Sequence, residues 1–146
     1  MKISSKGLEL IKKYEGFSSK KYLCPAGKAT IGYGHVIQNG ETYTMLTEKE
    51  ALALLDQDAD IAENTVNTLV KAPLNQNQFD ALVSLVYNWG SGHFLRSLGL
   101  KKLNNKDYDG AITEFSKINQ ANGKVLPGLI NRRLAEANLF NEGNNA

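Results

Sequence analysis

The sequence predicts an α+β protein in which a small antiparallel sheet lobe and a larger helical lobe are joined by one long helix. Three observations carry this prediction. Short β-prone pieces alternate with glycines between Phe17 and Thr44, apolar residues recur at helical spacing from Thr47 to Val70, and further helix-type patterns follow from Asn75 to Phe140. At 146 residues with 42% hydrophobic content, the chain suffices for one core and reads as a single domain over 1–146. The small lobe falls at about 12–47 and the linking helix at about 48–70. The helical lobe covers about 71–146 together with the N-terminal helix.

The first helix starts at a serine cap, Ser4 or Ser5, carries Leu8, Ile11 and Tyr14 on its apolar side, and stops at Gly16. Beyond it, Gly27, Gly32, Gly34 and the Asn39-Gly40 pair punctuate Ala29-Thr30-Ile31, Tyr33 and Val36-Ile37. A small sheet with a hairpin at Asn39-Gly40 is expected. Thr47-Glu48-Lys49-Glu50 forms a capping box, followed by Leu52, Leu55, Ala59, Ala62, Val66 and Leu69 at spacings of three and four. A helix from Glu48 to Val70 is about 34 Å long, more than a compact lobe needs, so it joins two lobes. Pro73 is expected to end it, and Asn75 with Gln78 opens the next helix, which carries Phe79, Leu82, Val83, Val86 and Tyr87 to a stop at Gly90. Further helices are expected over about Arg96 to Leu103, Tyr108 to Lys117 and Leu129 to Phe140. Asn122-Gly123 and Pro127-Gly128 mark a loop between the last two, and the tail Asn141 to Ala146 is expected to fray.

Charge and composition exclude several function classes. Seventeen basic against fifteen acidic residues give a net charge of +2, without the concentrated basic stripe a nucleic-acid binder needs. The N-terminus has no apolar segment of the kind found in an export signal, and no run approaches a membrane span, so a soluble chain without stable membrane insertion is expected. His, Cys and acidic residues do not cluster at zinc-ligand spacing, and the glycines do not match a phosphate-cradling loop. No metal and no cofactor are expected.

Glu15 breaks two local rules. With Leu8 at 0° on a helical wheel, Ile11 falls at about −60° and Glu15 at about −20°, on the apolar side. Glu9 falls near 100°, beside Lys13, with which it can form a surface pair. Glu15 also stands at the negative end of the helix dipole, which disfavours its charge by about 0.3–1 kcal/mol. Burial and the dipole both favour the protonated form that a general acid requires. The alternative is that the helix ends a turn early, leaving Glu15 in a solvated loop or paired with Lys12. Cys24, the one cysteine, is open to three readings: a small buried residue, an intermolecular thiol, or a working group.

Glu15, Cys24 and Thr30, inside Y-E-G-F, Y-L-C-P-A-G and T-I-G-Y-G-H, closely resemble the phage-type lysozyme family, the endolysins that degrade bacterial peptidoglycan. The similarity extends over L-T-E-K-E-A, N-Q-N-Q-F-D-A-L-V-S-L-V-Y-N-W-G, L-N-N-K-D-Y-D-G-A and P-G-L-I-N-R-R-L-A-E-A-N-L-F, almost the whole chain. It implies a two-lobed lysozyme-like fold whose cleft binds peptidoglycan and cleaves the β-1,4 bond from N-acetylmuramic acid to N-acetylglucosamine. Glu15 would be the general acid, with Cys24 and Thr30 facing it. Glycosidic cleavage usually employs a second carboxylate, and the family carries either Asp or Cys at the second position. A neutral thiol holding a water with the Thr30 hydroxyl would give inversion, the outcome generally ascribed to the family, whereas a thiolate attacking the anomeric carbon would give retention.

The same resemblance makes Tyr33, His35, Tyr87, Asn88 and Trp89 candidate sugar-contacting or cleft residues, although Tyr87 and Trp89 equally suit core packing. It places Arg132 and Arg133 near the cleft, where one pairs with Glu15; the alternative is a solvated helix face. A monomer is implied, accumulating in the cytoplasm of the host bacterium until lysis and reaching the wall through a separate holin-like permeabilising protein. Three other readings compete. A lytic transglycosylase would use Glu15 alone and release anhydro products, a noncatalytic peptidoglycan-binding module would not turn over, and a thiol peptidase would pair Cys24 with His35.

Overall fold

The computed structural model describes residues 1–142. Helix α1 spans Ser5–Glu15 and is capped by Ser4, whose oxygen accepts from Gly7 N–H, while Gly16 (φ 68°) ends it. Asp80 accepts the backbone N–H and the hydroxyl of Ser4, and a Cβ on Gly7 would lie 2.9 Å from Asp80 Cβ. Only glycine permits so close an approach of α1 to α3, the helix Gln76–Trp89.

Strands β1 (Ser18–Leu23), β2 (Ala29–Gly32) and β3 (His35–Val36) form an antiparallel sheet in that order. Tyr22 lies opposite Thr30 and Ile31 opposite His35, and the ladder is irregular between Ser18 and Tyr22. The hairpin expected at Asn39-Gly40 is instead made by Tyr33 and Gly34 (φ 76°), between β2 and β3. Asn39-Gly40 closes a separate turn in which Glu41 N–H donates to Gln38 O. Beyond Gly40 the chain does not enter a strand: Glu41 turns back to accept from Gln38 N–H and to meet His35 Nε2. β1 was not anticipated because it is largely exposed and carries no apolar alternation.

The capping box of Thr47 and Glu50 opens α2, Glu48–Leu69, which buries Ala51, Leu55, Ala59, Ala62 and Val66 along one face. Its end lies ahead of Pro73 and is held from outside, where Asn104 donates to Leu69 O and accepts from Lys71 N–H. Helix α3 starts with a second capping box, Asn75 with Gln78, and is buried continuously from Gln78 to Val86. It is the central helix, packed against α1, α2 and the last helix. Phe79, Leu82 and Val83 of α3 meet Ile11, Val66 and Phe140 in the core.

The helix expected over about Arg96 to Leu103 is α5, Leu98–Asn104, and a short unanticipated helix, α4 (Ser91–Leu95), precedes it. Ser97 breaks the run by accepting Leu100 N–H as a new cap, and buried Phe94 anchors the short piece before it. Helix α6 follows at Tyr108–Ser116. Where a loop was expected, Asn122 (φ 51°) and Gly123 (φ 76°) turn a second hairpin, β4 (Gln120–Ala121) with β5 (Lys124–Val125). Pro127 belongs not to that loop but to the first turn of α7, Pro127–Asn141, where its missing N–H costs nothing. Of the tail, Asn141 is helical and Glu142 pairs with Lys6; residues 143–146 lie outside the described residues.

Candidate active site

Glu15 is the last residue of α1, with its side chain only 16% exposed. The solvated-loop alternative and the Lys12 pair are both excluded by this placement. Lys12 instead pairs with Glu9 at 3.1 Å, displacing the expected Glu9–Lys13 pair. One edge of the Glu15 carboxylate is held by Arg132, whose Nη1 donates to Oε2 at 2.5 Å. The other edge lies on the turn of the sheet lobe: a Cβ added at Gly34 would sit 2.7 Å from Glu15 Cδ and closer still to Oε1. Gly34 therefore lets the small lobe seat directly on the acid.

Arg132 does not stand on a solvated face. Both Arg132 and Arg133 are 2% exposed, and between them lies the equally buried Glu136. Arg132 Nε donates to Glu136 Oε2 at 3.3 Å and its Nη2 to Ser84 O at 3.2 Å, while the Ser84 hydroxyl donates to Glu136 Oε2 at 2.5 Å. Arg133 donates to Asn88 Oδ1 at 2.7 Å. Its Nε approaches Glu136 Oε1 at 2.9 Å without hydrogen-bond alignment. Two guanidinium groups thus face two carboxylates, the buried Glu136 and the half-buried Glu15, which offset their charges. Desolvation opposes charge on Arg132, but the two carboxylates outweigh it and hold its pKa above the ordinary value. Burial dominates at Arg133, drawing it down to about 10, and it pushes the Glu136 carboxyl upward.

Cys24 opens the turn Cys24–Gly27 between β1 and β2 and is half-buried. Burial pushes its thiol pKa up, but N–H groups of Lys28 and Ala26, the Thr30 hydroxyl and the Lys28 charge together bring it below the ordinary value. A sulfur so surrounded is neither an inert core group nor fully open to solvent. Thr30, 2% exposed on β2, has its single hydroxyl proton within reach of Lys28 O at 2.9 Å as well as the sulfur. Tyr22 lies near both halves of the site. Burial first, then the charges of Glu15 and Cys24, raise its phenol pKa.

The other predicted residues are not all brought together. Tyr33 is 6% exposed and turned into the lobe, where its hydroxyl donates to Glu48 Oε1 at 3.0 Å. Tyr87 donates to the Tyr33 carbonyl at 2.6 Å and lines, with Gly34, His35, Val36 and Gly90, a groove of about 200 Å³. Asn88 is exposed and bound to Arg133, while Trp89 is partly buried against the core and stacks on His93 at 5.5 Å. His35 directs Nδ1 to Asp58 (2.7 Å) and Nε2 to Glu41 (3.0 Å), so it is not paired with Cys24. Burial opposes charge on this imidazole, yet hydrogen bonds to Asp58 and Glu41 hold its pKa above the ordinary value.

Several contributors went unread in the sequence. Glu136 stands four residues after Arg132 and three after Arg133, a helical spacing that carried the signal. Tyr22 stands on β1 two residues before Cys24, a strand alternation that carried the signal. Asp58 and Glu41 had no local cue linking them to His35. Among the described residues, no group of three or more His, Cys, Asp or Glu could hold a metal ion.

A half-buried acid seated between a helical lobe and a small sheet, beside a groove running past Gly34 and Tyr87, is the architecture of a lysozyme-type glycoside hydrolase. Residues 12–136 match the phage lysozyme family, and the chain belongs to it. It is 50% identical over 144 residues to an endolysin of Acyrthosiphon pisum secondary endosymbiont phage 1, covering 96% of this chain and 98% of that one. Among solved structures, the endolysin from Escherichia coli O157:H7 phage FAHEc1 superposes with a TM-score of 0.86 at 34% identity, covering 97% of this chain and 94% of that one. The muramidase domain of SpmX from Asticaccaulis excentricus gives 0.77 at 39% identity, over 95% and 97% of the two chains.

Proposed function

We propose that this chain is a single-domain endolysin that hydrolyses the β-1,4 bond between N-acetylmuramic acid and N-acetylglucosamine in bacterial peptidoglycan. The observation that carries the reading is the Glu15 carboxylate, fixed at Oε2 by Arg132 and directed by Oε1 toward Gly34 of the opposite lobe. The likeness to the muramidase domain of SpmX supports the choice of bond.

In this mechanism Glu15 Oε1 carries the proton and delivers it to the glycosidic oxygen as the bond to the anomeric carbon breaks. Arg132 stays on Oε2 and stabilises the carboxylate that forms. A water donates one hydrogen to Thr30 Oγ1 and the other to the Cys24 sulfur, leaving an oxygen lone pair for the anomeric carbon. As the C–O bond forms, the water's second proton passes to solvent while the Cys24 thiol stays neutral, and Glu15 regains its proton from solvent for the next turnover. The product is inverted at the anomeric centre. His35 and Tyr87 line the groove, Tyr33 supports the turn behind it through its carbonyl, which accepts from Tyr87, and Asn88 holds Arg133 on the helical side of the site.

The reading includes a monomer acting on wall glycan after accumulating in the host cytoplasm, with a separate permeabilising protein providing access. Its test is mass spectrometry of a digest of purified peptidoglycan. Fragments with reducing-end muramic acid are expected; anhydro ends would make it a transglycosylase, cleaved peptides a peptidase, and intact material a binding module.

A further inference from the structure

The turn Cys24–Gly27 is tied internally by Gly27 N–H donating to Cys24 O at 2.8 Å, with Cys24 N–H donating to Lys28 O at 3.0 Å. Its remaining residues are exposed. Distant in sequence, the β4–β5 hairpin leads directly into α7, the helix that carries Arg132 and so holds Glu15. From the tip of that hairpin the Asn122 side chain reaches across, its Nδ2 donating to Pro25 O at 2.7 Å.

One peptide plane connects this contact to the chemistry. Pro25 O and Ala26 N–H belong to the same planar unit and point in opposite directions. Ala26 N–H, two residues along the turn from Cys24, is one of the groups that draw the thiol pKa down. A hydrogen bond accepted at the carbonyl end fixes the rotation of that plane and polarises it, which strengthens the N–H donor at the other end. Asn122 can occupy the tip because its φ of 51° is a conformation asparagine tolerates better than most residues.

We propose that Asn122 is a positioning residue for Cys24. Through the Pro25–Ala26 peptide it aims an amide donor at the sulfur, and it fastens the turn to the base of α7, so that Cys24 keeps its register against Glu15. The inference rests on the reading of Cys24 as the group that holds the attacking water.

Asn122→Gly tests it, because glycine keeps the positive φ of the hairpin tip and removes only the donor. Asn122→Asp keeps the size and replaces the donor with an acceptor that faces the Pro25 carbonyl. Both variants are assayed for turnover of purified peptidoglycan, for the pH profile of Cys24 alkylation by iodoacetamide, and for thermal midpoint. The expected result is a fall in kcat of about tenfold or more with KM within about threefold, an upward move of the alkylation midpoint, and a Tm loss of no more than about 4 °C. Turnover within twofold of native, or an alkylation midpoint equal to native, overturns the proposal. Cys24→Ala run alongside separates the two claims. Native turnover in that variant would remove the water-holding role of Cys24, while the alkylation profile would still report whether Asn122 controls the thiol.

Discussion

Gly34 offers a sharp separation of backbone strain from active-site geometry. Its φ is 76°, and a Cβ there would lie 2.7 Å from Glu15 Cδ, inside the 3.0 Å that real Cβ contacts respect. In Gly34→Ala the carboxylate must therefore withdraw by at least 0.3 Å at Cδ, and further at Oε1, while Arg132 holds its other edge. Gly40 is the control: its φ is 88°, yet nothing lies within 4 Å of its Cβ position. Both substitutions carry the left-handed backbone cost of about 1–2 kcal/mol. Gly34→Ala adds about 1–3 kcal/mol of overpacking. A displaced catalytic group costs up to about 100-fold per ångström, so shifts of about 0.3 Å at Cδ and about 0.7 Å at Oε1 should lower turnover in Gly34→Ala about 4- to 25-fold, while Gly40→Ala turns over at the native rate. Urea denaturation gives the stabilities and release of soluble muropeptides gives the rates. Native turnover in a folded Gly34→Ala, or an equal loss in both variants, would refute the placement of Glu15 against the sheet lobe.

Three further outcomes follow from the charge clusters and the site. The His35 pKa is raised, so its contacts with Asp58 and Glu41 contribute fully below about pH 6.5 and are lost as pH rises through the folded-state value; Tm should decline there in the native chain and not in His35→Gln. Glu41, drawn down to about 2 chiefly by the Gln38 N–H and then by His35, contributes above pH 4.5 and loses that contribution as pH falls through about 2. Burial of Asp58 acts in the opposite sense, raising its pKa and costing stability as the carboxyl ionises. Replacing Glu136 with Gln strands a positive charge between two buried guanidinium groups and should cost about 3–5 kcal/mol in urea melts, whereas a loss below about 1 kcal/mol would show that water enters the cluster. In proton NMR of a fresh digest, the new muramic acid reducing end should appear first as the α anomer; an initial β anomer would mean attack by the Cys24 sulfur on the sugar.

Where local chemistry decided the structure, the sequence was readable. Thr47 with Glu50 and Asn75 with Gln78 each made the cap their spacing announced, and the apolar face of α2 followed from the recurrence of Leu55, Ala59, Ala62 and Val66. The wheel position of Glu15 foretold its burial because a helix fixes direction residue by residue. Tertiary partners were the obstacle elsewhere. Asn104 ends α2 from another helix, and Asn39-Gly40 yields its hairpin role to Tyr33-Gly34 because the strand that would follow it is drawn off through Glu41 toward His35. The arginine pair was legible as a pair, but which member meets Glu15 depends on how α7 lies across α3, and periodicity does not encode that.

The most direct test of the account replaces Glu15 with Gln, which keeps the side chain's size and its place beside Arg132 but has no proton to deliver to the leaving oxygen. Steady-state turnover on purified peptidoglycan should fall by about 10²–10⁴-fold, with the fold intact by circular dichroism. Turnover within about tenfold of native in that folded variant would contradict the assignment of Glu15 as the general acid, and with it the mechanism built on its two held edges.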